Sequence, residues 1–148
     1  MIEAHVAPTT LGHMQELIDN LRPEDRREVE GISGATAKAA LLWSYRYSSL
    51  CRTILVEGEV AGVFGVCDTV VDEVGSPWLV TTPKILKISR RFLRESRTHL
   101  AHLRSVGNYK KLRNVADKRN AVHIRWLEWL GAKFYGDPVK THYIRFEL

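Results

Sequence analysis

Residues 112–134 restrict the fold of this chain more than any other stretch. Leu112–Asn120 has the pattern of a short strand followed by a polar turn. Ala121–Leu130 has the apolar spacing of an amphipathic helix, and Gly131 is the kind of residue that ends one. The residues after this glycine begin a second strand. A strand, a helix and a strand in this order predict an α/β fold in which the helix packs on a sheet.

Length and composition predict one globular domain over residues 1–148. Hydrophobic residues make up 45% of the chain and charged residues 26%, which is ordinary for such a domain. The longest apolar stretches, such as Val60–Cys67, are too short for a membrane span, and the first five residues show no secretory signal. Because Cys51 and Cys67 are too few for a disulfide framework, we expect both in the core and the protein in a reducing compartment.

Positive charge is concentrated in one part of the chain. Lys84–Arg125 holds 13 Lys or Arg residues against 2 acidic ones, a net charge of +11, so the remainder carries −6 of the total of +5. The positive electrostatic field of this stretch favours the binding of phosphate groups, whether on coenzyme A, on nucleic acid or on another polyanion.

Hydrophobic periodicity predicts the order strand, two helices, three strands, helix, strand, helix, and one or two strands. The predicted strands are Ile2–Val6, Thr53–Val56, Val60–Val66, Trp78–Thr81, Tyr109–Val115 and Thr141–Leu148. The predicted helices are Leu11–Leu21, a helix opened by Ser33 or Thr36 and running to Tyr47, Ile85–Leu103, and Ala121–Leu130. The polar run from Arg22 to Glu30 is expected to be exposed helix or loop. This order predicts a mixed central sheet with helices on both faces.

The segment that begins at Asn120 resembles the C-terminal half of the GNAT fold, the fold of the N-acetyltransferase superfamily. The family pattern is roughly Asn-x-x-Ala-x-x-x-Tyr-x-x-x-Gly-Phe, and Asn120 and Gly131 match two of its positions. The resemblance implies a fourth strand that diverges from the fifth, with acetyl-coenzyme A in the gap. It also implies which groups would hold cofactor and substrate: the backbone of Leu79, Val80, Thr81 and Thr82, together with Asn114 and Asn120.

The phosphate-binding loop departs from the family pattern. GNAT proteins usually have a Gln/Arg-x-x-Gly-x-Gly/Ala loop that brings backbone amides and a helix N-terminus to the pyrophosphate. Residues 82–91 contain no glycine, and Pro83 lacks an amide donor. Two interpretations stay open. In the first, the phosphate-binding loop is lost and the local cations face solvent. In the second, cationic side chains replace the backbone amides of the loop, Pro83–Ile88 forms a short extra turn, and Ser89 caps the helix. The cations concerned are Lys84, Lys87, Arg90 and Arg91.

The proton-transfer residues of the family are not matched either. The family tyrosine that can protonate the leaving thiolate falls at Leu127, which cannot transfer a proton. Tyr135 is a substitute candidate, or else a packing residue. Asp68 is a candidate base among several acidic residues near the central strands, or else a turn former. His123 is expected to pack, and no set of residues predicts a metal site.

A narrower resemblance covers the same helix. Asn120-x-x-His-Ile-Arg-Trp-Leu, running into Gly131-Ala-x-Phe, is similar to a segment of the GNAT-like internal virion proteins of T-seven-like podophages. Trp78–Thr81 before a basic helix without a glycine loop is similar to the same family. The resemblance implies a bacteriophage protein associated with the virion or with its assembly or ejection, and without catalysis. Its partners would be other virion or assembly proteins, in the host cytoplasm during infection or in the particle.

Two other hypotheses remain from the sequence. One is an active acyl-coenzyme A-dependent enzyme that transfers an acetyl group to an amine, which attacks the thioester directly. The other is nonspecific binding of a polyanion through the basic helix, with an affinity that falls as salt rises. The residues that would carry this second role are Arg90, Arg91, Arg94 and Arg97.

Overall fold

Residues 2–148, the part of the chain that the computed structural model describes, contain seven strands and five α-helices. The strands are β1 (Ala4–Pro8), β2 (Ser48–Val56), β3 (Glu59–Asp68), β4 (Val74–Thr81), β5 (Lys111–Asp117), β6 (Lys133–Val139) and β7 (Tyr143–Glu147). The helices are α1 (Leu11–Asp19), α2 (Pro23–Ser33), α3 (Ala37–Tyr47), α4 (Ser89–Val106) and α5 (Ala121–Trp129), and a 3-10 helix at Pro83–Ile88 leads into α4. The predicted α/β class and mixed sheet are confirmed.

One sheet contains all seven strands, in the order β1-β2-β3-β4-β5-β7-β6. Every neighbouring pair is antiparallel except β4 and β5, which run parallel. These two strands pair at only two positions, Val74 with Lys111 and Gly75 with Leu112. Beyond Gly75 they diverge, which leaves a gap in the middle of the sheet. We call the paired end of this gap the closed end and the other the open end.

The central strand β3 is buried on both faces. Val60 and Val63 pack into one core cluster with Met14 of α1 and Leu41 of α3. Phe64 belongs to a second cluster on the opposite face, which includes side chains of α4 and the 3-10 helix. A third, smaller cluster fixes α5 to β5 and β7 through Ala116, Leu127 and Phe146. Helices therefore cover both faces of the sheet, and they approach the gap from both sides.

Local signals in the sequence set several element boundaries. Thr10 caps α1 by accepting a hydrogen bond from the His13 amide, at 3.1 Å, and Thr36 caps α3 in the same way. The hairpin between β2 and β3 turns at Glu57 and Gly58, both with positive φ. The predicted first strand is displaced along the chain, since β1 covers Ala4–Pro8 instead of Ile2–Val6.

The polar run from Arg22 to Glu30 is not merely an exposed segment. It forms most of α2, in which Asp25 and Glu28 are buried. Pro23 occupies the first turn and acidic residues follow it there, a pattern that favours the start of a helix. Hydrophobic periodicity could not reveal the buried side of α2, because that side is partly polar. Among residues 2–148, no helix is long and apolar enough to cross a bilayer.

Candidate functional site

The gap between β4 and β5 exposes one edge of the β4 backbone. Because backbone groups of an antiparallel strand alternate between its two sides, Pro77, Leu79 and Thr81 turn their polar groups away from β3 and towards the gap. Proline has no amide, and the Pro77 carbonyl accepts a hydrogen bond from Asn114 Nδ2 at 2.7 Å. The side chain of Asn114 thus bridges the two strands just beyond their last backbone pairing.

The backbone groups of Thr81 at the open end are already bonded. Its amide donates to Asp25 Oδ2 at 3.0 Å, and its carbonyl accepts from the Arg22 amide at 3.1 Å. The Thr81 hydroxyl also donates to Asp25. The segment entering α2 therefore occupies this edge of β4. Within residues 2–148, the amide and carbonyl of Leu79 are the β4 groups facing the gap that remain unbonded.

Asn120 connects this contact to the other side of the gap. Its Nδ2 donates to Asp25 Oδ1 at 2.8 Å and lies 3.4 Å from Glu28 Oε1. Its Oδ1 accepts from the His123 amide and so caps α5. The side chain of Asn120 is fully buried. The residue predicted to hold cofactor or substrate is thus placed at the site, but its hydrogen-bonding groups are taken by α2 and α5.

Glu28 and His123 form a buried ion pair across the gap. His123 Nδ1 lies 2.8 and 3.0 Å from the two carboxylate oxygens of Glu28. Burial alone would lower the pKa of His123, but the hydrogen bond and charge of Glu28, with the charge of Asp25, outweigh burial and raise this pKa above its ordinary value. Glu28 therefore favours the protonated form of the imidazole. Its Nε2 forms no hydrogen bond within the described chain.

Asp117 completes the polar network at the C-terminal end of β5. Its amide donates to Glu28 Oε2 at 2.6 Å, and its carboxylate binds Arg119 at 2.9 Å. Arg27 of α2 lies 3.7 Å from the same carboxylate. Burial alone would raise the pKa of Asp117, but the bonds and charge of Arg119, with the charge of Arg27, lower it. The carboxylate is therefore ionised near neutral pH. We call Arg22, Asp25, Glu28, Asp117, Asn120 and His123 the open-end network.

Three cavities meet at His123. One of about 370 Å³ lies between the 3-10 helix, α4 and α5, and its lining is mainly apolar. A much smaller one, of about 30 Å³, shares Leu79, Phe92, His123 and Trp126 with it and lies deeper, against the sheet. A third, of about 160 Å³, opens on the other face, between α2, α3 and the gap. We call the first two the outer and the inner cavity.

The segment expected to bind phosphates is a 3-10 helix. Thr82 Oγ1 accepts from the Lys84 amide and the Thr82 carbonyl accepts from the Ile85 amide, so these donors are used internally. The extra turn predicted at Pro83–Ile88 is confirmed. Ser89 does not cap α4, because its hydroxyl donates backwards to the Leu86 carbonyl at 3.0 Å.

The two predicted phosphate-binding arginines point in different directions. Arg91 reaches β1, where its guanidinium donates to the carbonyls of Ile2 and Ala4, and it also pairs with Glu95. Arg90 is exposed and has no acidic partner among residues 2–148. The structure therefore separates Arg90 from Arg91, which are adjacent in sequence.

The candidate catalytic residues do not lie at the outer or the inner cavity. Asp68 ends β3 beside the closed end, where it accepts a hydrogen bond from the Tyr109 hydroxyl. Tyr135 lies on β6, opposite Arg145, and is 42% exposed. Leu127, at the position of the family tyrosine, does line the inner cavity; it is 1% exposed and packs between α5 and the sheet. No group of three His, Cys, Asp or Glu residues in the described part of the chain could hold a metal ion.

Sequence reasoning missed Asp25 and Glu28 and underrated His123. The two carboxylates are three residues apart and follow Pro23, which places both on one face of a helix. This spacing was a visible signal. Nothing local in the sequence indicated that this face would meet Asn120 and His123, which lie more than 90 residues away.

The fold matches solved structures, although no family model and no curated protein sequence matches the chain. A domain from Methanocaldococcus jannaschii is 15% identical, with a TM-score of 0.74, over 100% of this chain and 99% of that one. Spermidine N-acetyltransferase from Vibrio cholerae, solved with CoA and spermine, is 10% identical, with a TM-score of 0.71, over 98% and 94%. The GNAT domain of S. lividans PAT is 12% identical, with a TM-score of 0.68, over 98% of this chain and 89% of that one.

Proposed function

We propose that this chain, which has the GNAT fold, is a bacteriophage protein that serves in the virion or in its assembly or ejection and does not transfer acetyl groups. Its cleft is converted from a cofactor site into a structural junction. The observation that carries the proposal is the contact of Asp25 and Arg22 with the backbone of Thr81.

The Thr81 contact competes directly with a pantetheine arm. A cofactor amide could pair with Thr81 only after Asp25 and the Arg22 amide are displaced. Displacement would leave buried polar groups unpaired, which costs about 1–3 kcal/mol for each group and more for a charged one. Of the four residues predicted to contact the cofactor through their backbone, only Leu79 keeps free groups that face the gap.

The pyrophosphate would also lack its usual donors. The 3-10 helix uses the amides of Lys84 and Ile85 internally, and Pro83 has none. Arg91 is held at β1. Lys84 pairs with Glu59 at 2.8 Å, whereas Lys87 and Arg90 are exposed and have no acidic partner among residues 2–148. Two exposed cations offer far less than a set of fixed amides. Leu127 cannot act as the acid for a leaving thiolate.

The phage assignment is supported by the resemblance of the α5 segment to podophage internal virion proteins. Within that segment, Asn120 and His123 belong to the open-end network. Two of the residues that carry the resemblance therefore join α5 to α2. We propose virion or assembly proteins as partners and the host cytoplasm or the particle as the location. Mass spectrometry of purified particles should detect this chain. Its absence from particles and from assembly intermediates would reject the role.

Native mass spectrometry with acetyl-coenzyme A tests the loss of cofactor binding. We expect no complex up to about 1 mM, the upper end of the range in which enzymes bind their substrates. If a complex forms, Arg90→Gln and Arg91→Gln are matched variants that distinguish its cause. Binding weakened by Arg90→Gln alone would mean that side-chain charge replaces the cradle, and the non-enzymatic proposal would be wrong.

An active acetyltransferase is a second candidate, favoured by two observations. The Leu79 amide and carbonyl still face the gap, and His123 offers an unbonded Nε2 there. A cationic imidazole could protonate a leaving thiolate in place of the absent tyrosine. The Vibrio cholerae relative in structure acts on spermidine and was solved with spermine, so polyamines are the first acceptors to assay. Release of free coenzyme A that depends on both acceptor and enzyme would support this candidate.

A further inference from the structure

Two ring nitrogens at the inner and outer cavities have no hydrogen-bond partner within residues 2–148. Trp126 Nε1 is buried and forms no hydrogen bond, the only side-chain polar atom in this condition among residues 2–148. His123 Nε2 has no partner either. Both side chains line both cavities. Buried donors are almost always satisfied in native proteins, so a lone donor beside a cavity indicates a missing acceptor.

The two donors are fixed in place. His123 and Trp126 lie one turn apart on α5, with ring centroids 5.8 Å apart and nearly parallel planes. Phe92 of α4 stacks on the same indole, also at 5.8 Å. Glu28 holds the other nitrogen of the imidazole. An acceptor in the cavities would therefore meet Trp126 Nε1–H and, when the imidazole is protonated, His123 Nε2–H, in orientations that cost little to maintain.

The cavity walls indicate what is attached to that acceptor. Apolar side chains of the 3-10 helix, α4 and α5 form most of the outer cavity, among them Leu86, Leu93 and Val122. Its volume of about 370 Å³ lies in the usual range for small-molecule sites. Arg125, exposed and without an acidic partner in the described chain, stands at the rim.

We propose that these cavities bind a medium-chain aliphatic carboxylate, with one carboxylate oxygen accepting from Trp126 Nε1 and His123 Nε2 and with the chain in the outer cavity. Glu28 offsets any positive charge on His123, but Arg22 and Arg125 also line the outer cavity, against the single carboxylate of Asp25, so the local field tolerates an anion. His99 of α4 lines the inner cavity as a further ring that can donate. The proposal is independent of acetyl transfer and of the phage role.

Decanoate is the probe, and two tryptophan variants give a matched test. Trp126→Phe removes only the orphan donor and keeps an aromatic ring between Phe92 and His123. Trp129→Phe is the control, because Trp129 is 45% exposed and its Nε1 donates to the Leu93 carbonyl. We expect decanoate to bind the intact protein and to bind Trp126→Phe roughly tenfold more weakly, the effect of one hydrogen bond to a charged group. Trp129→Phe should bind as the intact protein does.

The indole amide signals in a ¹H–¹⁵N spectrum give an independent readout. The signal that disappears in Trp126→Phe should be the one that moves most when decanoate is added to the intact protein. Val122→Trp, a substitution at a partly exposed position that narrows the outer cavity, should prevent the shift.

The proposal is overturned by any of three results. Decanoate fails to bind, or it binds Trp126→Phe and the intact protein equally, or decanoyl-coenzyme A binds while decanoate does not. The last result would assign the cavities to a thioester cofactor and would also contradict the proposed loss of cofactor binding. The first two would leave that proposal unaffected, so the two failures can be distinguished.

Discussion

The two ends of the gap between β4 and β5 are joined by different chemistry. At the closed end, backbone pairing at Val74 and Gly75 holds the strands together, and Tyr109 packs beside it with its hydroxyl bonded to Asp68 and Ser49. At the open end no backbone pairing remains, and buried charged side chains make the junction. Backbone pairing tolerates many side chains, whereas a buried ion pair depends on both partners and on pH. The open end should therefore be the more sensitive of the two.

The largest effect should come from breaking the open end at Glu28. Glu28→Ala leaves the His123 imidazole and the Asp117 amide without their partner. We expect the free energy of unfolding, measured with urea, to fall by about 3 kcal/mol, as when one member of a buried pair is removed. Glu24→Ala is the control, since the Glu24 side chain is 45% exposed in its pair with Arg22, and it should change stability by less than about 0.5 kcal/mol. Equal losses would mean that the junction does not depend on the buried pair.

Gly75→Ala tests the closed end. A Cβ at Gly75 would lie 2.8 Å from Val66 Cγ2 and 2.9 Å from the Tyr109 ring. Overpacking of this kind costs about 2 kcal/mol, less than the loss expected from Glu28→Ala. In the control Gly12→Ala, in the first turn of α1, the nearest atom would be Thr10 Oγ1, 3.7 Å away, and alanine should raise stability by about 0.5 kcal/mol. If Gly75→Ala lowered the free energy of unfolding more than Glu28→Ala does, the closed end would be the more sensitive of the two.

A smaller effect should be a pH dependence of stability that arises at the open end. The pKa of His123 is higher in the folded protein than its ordinary value of about 6.5. A raised pKa stabilises the folded state fully below the unfolded value, and this contribution is lost as pH rises through the folded value. The stability of the intact protein relative to His123→Gln should therefore shrink as pH rises above about 6.5. A difference that stays constant from neutral to alkaline pH would show that the imidazole does not titrate as argued.

The smallest effect concerns the rim of the open end. Arg90 and Arg94 are exposed without acidic partners in the described chain, whereas Arg91 is held at β1. If the basic helix binds a polyanion, the affinity for a short DNA duplex should fall steeply with salt, and the double variant Arg90→Gln/Arg94→Gln should reduce the slope of log K against log salt by about 2. Arg91→Gln should change the slope by less. Binding that is absent, or insensitive to salt, would remove this role.

Much of the fold could be predicted because its signals are local. Alternating strands, the caps at Thr10 and Thr36, and the glycine after α5 are readable from neighbouring residues. Less of the site could be predicted from the sequence. Asn120 was found through its resemblance to a family pattern, but its actual partners, Asp25 and Glu28, lie on a helix whose buried face is polar. Periodicity of apolar residues cannot detect such a face, and the pairing of residues so far apart in sequence has no local signal.

Arg90 and Arg91 show the same limit in a smaller setting. They are identical and adjacent, and both counted equally in the charge of the basic stretch. Only the position of β1 beside α4 decides that Arg91 bonds to the carbonyls of Ile2 and Ala4. Net charge therefore predicted the field around this helix but not which of its cations remain free to bind a ligand.

Pro77 has a consequence for how the sheet assembles. Parallel strands can slide along one another during folding until one register is selected. Each further residue that pairs with the neighbouring strand uses both its backbone amide and its carbonyl. The residue at position 77 supplies only the carbonyl, which Asn114 takes. Mispaired registers that would close the gap are thereby disfavoured at the first position after Gly75 that faces β5. Replacing this proline would restore the missing donor and would give the two halves of the sheet a competing way to join during folding.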